Sequence, residues 1–159
     1  MQQALGAVLL APAAFLAGLW GQAGSEAGLF RPHDAARVAR GAELYRQHCA
    51  VCHGAELKGE TSDGHSRDEE GFLPGPPHDE TGHTWHHPDQ VLFDITKYGL
   101  AEAANLPDYK TRMPAFADML DDGEIIAIFS FIKSRWPDDI RERHDAMNMR
   151  HHVTTADGH

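Results

Sequence analysis

Apolar and polar positions divide the chain into a leading apolar stretch, three amphipathic segments and two polar ones. From Ala4 to Trp20, 17 residues are uncharged and mostly apolar. That length falls between the ~7 to 15 residues of a signal-peptide core and the ~20 of a membrane-spanning helix. Gly21-Gln22-Ala23 offers a small-x-small cleavage site. Residues 1–25 are therefore expected to be a signal peptide or a membrane anchor through residues 4–20, and 26–32 a linker. Everything after them is expected to be exported and to face the periplasm.

Asp34 is a good N-cap for a first helix running to about Cys49, with Val38, Ala42 and Tyr45 on one face. Pro88 suits the first position of a second helix, whose Val91, Leu92, Ile95 and Tyr98 share a face and which Gly99 ends. Asp121 or Asp122 caps a third helix from Glu124 to about Arg135, striped by Ile125, Ile128, Phe129 and Ile132 and stopped by Pro137. Between the first two helices, Gly54 to His87 is rich in Gly, Pro, Asp, Glu and His and has no apolar period. A loop that long in a small domain needs something beneath it, and a cofactor would fill the space. From Asp138 to His159 the chain is charged, rich in histidine and poor in large aliphatics; it is expected to be helical at its start at best and then disordered. No strand pattern competes. The expectation is an all-α domain at residues 33–137 with a polar His-rich tail at 138–159.

Charge narrows the partners. Fourteen Lys and Arg against 24 Asp and Glu give −10 with histidine neutral. That excludes nucleic acid as a natural partner and favours a basic docking surface. Two cysteines rule out a disulfide framework and a four-cysteine metal site from one chain. Nothing resembles a hydrolytic triad or a phosphate-binding glycine loop, so an enzyme in its own right is not expected.

Cys49-Ala50-Val51-Cys52-His53 is the strongest motif. C-x-x-C-H is the covalent attachment sequence of c-type haem: two thiols three positions apart at a helix end reach the two vinyl groups, and the next histidine points at the iron. A thioredoxin-like redox pair would need a preceding strand. A zinc site from Cys49, Cys52, His83 and His87 would span more than the usual spacing and leave His53 idle. In the tail, His144, Met147 and His151 fall on one helical face, a soft donor set suited to weak, transient copper contact; a chance cluster is the plainer alternative.

In combination these motifs resemble the class I c-type cytochromes over about residues 33 to 137. Gly41-x-x-x-Tyr45 ahead of Cys49-x-x-Cys52-His53-Gly54 is similar to that family's N-terminal helix and haem site. Phe131 matches the aromatic position that packs where the C-terminal helix crosses the glycine. Tyr109-Lys110-Thr111-Arg112-Met113-Pro114 resembles the sixth-ligand segment. The resemblance implies one haem c bound through Cys49 and Cys52, with His53 and Met113 as axial ligands; His83, His86 and His87 leave a bis-histidine set open. Chemistry favours Met113 independently, because a neutral thioether stabilises reduced iron. Gly75-Pro76-Pro77 resembles the turn whose proline carbonyl fixes the ligand imidazole, with Pro76 or Pro77 in that role, although His78-Asp79 depart from the usual leucine. Trp85 is a candidate propionate donor, and Lys110 and Arg112 are either donors or a docking rim. The function implied is single-electron transfer between redox partner proteins, alone or as the electron-accepting subunit of an oxidoreductase. The alternatives are a haem enzyme or sensor with an open sixth site, and a non-haem metal module.

Overall fold

The structure, a computed structural model, describes residues 28–61 and 66–156; the apolar segment at 4–20, and with it the export or anchor reading, lies outside the described residues. Among the described residues the chain forms α1 (Ala35–His48), α2 (Ala50–His53), a 3₁₀ turn (Thr84–His86), α3 (Asp89–Tyr98), α4 (Leu100–Ala103), α5 (Asp122–Ser134) and α6 (Asp138–Ala156), with no strand. No helix among them is long and apolar enough to cross a membrane.

α1 begins where the Asp34 carboxylate accepts from the Arg37 N–H at 3.0 Å. Its buried face is Gly41, Leu44 and Tyr45, one position round from the expected Val38, Ala42 and Tyr45. The reason is α5. A Cβ on Gly41 would lie 1.9 Å from the Ala127 carbonyl oxygen, so only glycine lets the two helices cross this closely. Phe131 closes the crossing, its ring 5.5 Å from that of Tyr45. α5 starts two residues earlier than expected, because Asp121 and Glu124 form a reciprocal capping box. Glu124 also accepts from Arg40 at 2.7 Å, tying α5 to α1. The expected stripe of Ile125, Ile128, Phe129 and Ile132 is buried.

Pro88 is the N-cap of α3 rather than its first helical residue. Tyr98, expected on the buried face, is exposed, while Leu92, Phe93 and Thr96 face inward. α4, with no pattern to announce it, is a single turn leading into the loop before α5.

The largest departure from expectation is the C-terminal segment, which is a continuous helix to Ala156 rather than disordered. Its inner stripe is Ile140, His144 and Asn148, spaced for one helical face but mostly polar, which is why a search for apolar period misses it. Each polar member has a partner. Asn148 donates to Asp89 at 2.9 Å and accepts from the Asp89 N–H at 2.8 Å. The other Asp89 oxygen accepts from the N–H groups of Leu29 and Phe30 at 2.6 and 2.9 Å. His144 donates from Nε2 to the His87 carbonyl at 3.0 Å. Lys133 of α5, its side chain 1% exposed, pairs with Asp145 at 2.5 Å. Phe30 stacks on Phe129 at 4.9 Å and Trp136 lies edge-on to His144 at 5.0 Å, so the network sits inside aromatic packing. This turns His144 into the core and removes it from the copper-binding face that the spacing with Met147 and His151 suggested.

Candidate functional site

α1 and α2 deliver three side chains to one place. Cys49 ends α1, its N–H donating to the Tyr45 carbonyl at 2.8 Å, and α2 then carries Cys52 and His53. Both thiols are free. Burial pushes the Cys49 thiol up to about 12, so it is held protonated. The Tyr45 hydroxyl donates to the carbonyls of His53 and Gly54 at 3.2 and 2.9 Å, fixing the end of α2. Burial raises the Tyr45 phenol well above its usual range, so this donor keeps its proton.

His53 is buried, and burial lowers its basicity against the opposing pull of the Pro76 carbonyl. Its Nδ1 lies 2.9 Å from that carbonyl. A carbonyl only accepts, so Nδ1 carries the proton and Nε2 is left with a lone pair. Of the two prolines, Pro76 makes this contact. The turn that presents it is close-packed: a Cβ on Gly75 would lie 2.1 Å from the Cys52 carbonyl oxygen. Glu60 N–H donates to the Gly75 carbonyl at 2.9 Å, and the His78 N–H to Leu57 at 2.7 Å. The long loop is thus stitched to the residues that follow the motif. Leu57 adopts φ +65°, a left-handed conformation costly for a branched residue, and its carbonyl thereby faces His78.

Cys49, Cys52 and His53 line a cavity of about 340 Å³ together with Pro76, Met113 and apolar side chains from α3 and α5, among them Leu92, Ile128, Phe129 and Ile132. That volume lies within the ~300 to 1,000 Å³ of cofactor sites. Met113 comes from the loop between α4 and α5, which is anchored by Phe116 and Ala117 N–H groups donating to the carbonyls of Thr96 and Lys97 at 3.0 Å each. Lys110 and Arg112 line the same cavity. Arg112 also pairs with Asp68 and Glu70 and lies over the Phe72 ring at 4.2 Å, folding the 68–72 loop against the Met113 segment.

Trp85 is elsewhere. It is not among the cavity-lining side chains, and its indole N–H donates to the Glu80 carbonyl at 3.2 Å. His83 and His87 do line the cavity; His83 stacks on His86 at 4.5 Å and meets His87 edge-on at 5.0 Å. No group of three or more His, Cys, Asp or Glu side chains among the described residues is arranged to hold a metal ion, so the four zinc candidates share the cavity without converging. His78 stacks on His53, a contact that no motif announces beyond the departure from leucine at that position.

Two free thiols, an imidazole with one nitrogen spare and an apolar chamber that also receives a thioether are the donor set of haem c, so the residues present fit that group. Residues 36–132 match the family model described as cytochrome c oxidase, cbb3-type, subunit III. No curated protein and no solved structure matches the chain. The family span covers α1 through most of α5 and stops short of α6. The chain therefore belongs to this family of class I cytochrome c domains, which bind covalently attached haem c and transfer electrons.

Proposed function

We propose that this protein is an exported single-electron carrier, working on the periplasmic side of the membrane, whose haem iron is held between His53 and Met113. The observation that carries the reading is the cavity, lined at once by the two motif thiols, by His53 with its Nδ1 engaged, and by the thioether of Met113. Haem c supplies a one-electron iron couple. Cys49 and Cys52 would anchor it through thioethers, and His53 would donate Nε2, its tautomer set by Pro76. Met113 would close the sixth position and favour the reduced state. The apolar residues of α3 and α5 exclude water, which keeps reorganisation small when the charge changes.

Between the two cysteines, Val51 is 85% exposed and Cys52 is exposed, which gives the site an accessible apolar edge for electron exchange. The net charge of −10 steers a partner with a basic docking surface. Residues 4–20 would hold the carrier at the membrane where they are retained.

The test is the ferric optical spectrum of the protein matured with covalent haem. A weak far-red band from thioether-bound iron is expected, lost in Met113→Ala while haem remains attached. Rapid, tight binding of carbon monoxide or cyanide by the wild-type protein would overturn the closed sixth site and favour a sensor or haem enzyme.

A further inference from the structure

The imidazole of His78 lies face to face with that of His53, ring centroids 4.0 Å apart and planes 22° apart. Both rings line the cavity. The main chain beneath His78 is held on both sides: its N–H donates to the Leu57 carbonyl at 2.7 Å, and its carbonyl accepts from the Trp136 indole N–H at 2.7 Å. Leu57 and Trp136 are buried. The ring is held as well, with Nδ1 2.6 Å from the hydroxyl of buried Thr84 and the Tyr45 ring edge-on at 6.4 Å.

The Pro76 carbonyl holds His53 at a single atom, Nδ1, and one hydrogen bond constrains the plane of a ring only weakly. A second flat ring, itself anchored through main chain and side chain, removes the remaining freedom. We propose that His78 is a positioning residue: it sets the plane of the His53 imidazole and so the orientation in which that ring meets the iron. The proposal rests on the reading of His53 as an axial ligand. The plane of an axial imidazole selects the iron d orbital with which it overlaps, so the plane is written into the magnetic anisotropy of low-spin ferric iron.

The experiment is electron paramagnetic resonance of the ferric holoprotein at one fixed pH, for wild type, His78→Leu, His78→Phe and Thr84→Val. His78→Leu removes the flat face and is expected to shift the g-values and broaden the lines. His78→Phe restores a flat ring and should return them toward wild type. Thr84→Val frees the ring's anchor and should broaden the lines less. Wild-type g-values and line widths in His78→Leu would overturn the proposal, as would a shift in His78→Phe as large as that in His78→Leu. Where His78→Leu fails to mature, Thr84→Val decides, and an unchanged spectrum in it overturns the proposal. Failure of the ligand reading is a separate result, since it appears in the wild-type spectra as high-spin iron or a missing far-red band.

Discussion

The His53 and Met113 sides of the cavity are built by different means. His53 sits on a single helical turn, its end fixed by the Tyr45 hydroxyl and its ring by Pro76 and His78. Behind it stand groups far away in sequence: Trp136 on the His78 carbonyl, and His144 on the carbonyl of His87. Met113 sits on a loop tied to α3 by two main-chain hydrogen bonds and flanked by Arg112, whose ion pairs are exposed. Buried, hydrogen-bonded polar groups fix geometry because any displacement strands one of them away from water. Exposed ion pairs exchange with water at little cost. One side therefore holds its group rigidly while the other is free to adjust.

The comparison breaks most sharply at Gly75. Gly75→Ala drives a Cβ into the Cys52 carbonyl, and a destabilisation of about 3 kcal/mol is expected. Thermal melts together with the yield of covalent haem would show it, and unchanged values would mean that the turn is not rigid.

Next comes the support behind the His53 side. Asn148→Ala strands the buried Asp89 carboxylate oxygen and the Asp89 N–H, and about 2 kcal/mol should be lost in denaturant titration. Were α6 only loosely docked, this variant would melt with wild type.

A third effect depends on pH. Burial, reinforced by Lys133, lowers the basicity of His144 below its usual 6.5, with Asp89 opposing. Its Nδ1 is buried without a hydrogen-bond partner, so a proton there would have nothing to bind. The folded state binds that proton more weakly than the unfolded chain. His144 therefore leaves stability intact above about 6.5 and drains it as the pH falls below that value. Unfolding titrations from pH 7.5 down to 5 should show a smaller decline in His144→Gln than in wild type, for which roughly those limits bracket the ordinary histidine range.

The smallest effect is expected on the Met113 side. Arg112→Gln gives up two exposed ion pairs and the guanidinium contact on the Phe72 ring, so a loss of no more than about 1 kcal/mol is expected and the far-red band should persist. A large loss there would put both sides of the cavity on the same footing.

Much of this was legible in the chain. Asp34, Gly99 and Pro137 mark helix ends by rules that act within a few residues, and the stripe of α5 repeats at the helical period. Cys49, Cys52 and His53 are adjacent, so their chemistry follows from spacing alone. Other features were hidden because they depend on partners. The inner stripe of α6 is polar and reads as a solvated tail until Asp89, His87 and Lys133 are seen to meet it. Trp85 looked available until the Glu80 carbonyl was found on its indole.

Local geometry and covalent adjacency thus fixed α1, α3 and α5 and the attachment motif, since each is encoded over a few neighbouring residues. Tertiary structure alone decided that Pro76 meets His53, that His78 stacks against it, and that α6 belongs to the body. Those contacts join residues 23 to 59 positions apart, and a buried polar side chain is stable only beside a partner that the local sequence does not contain.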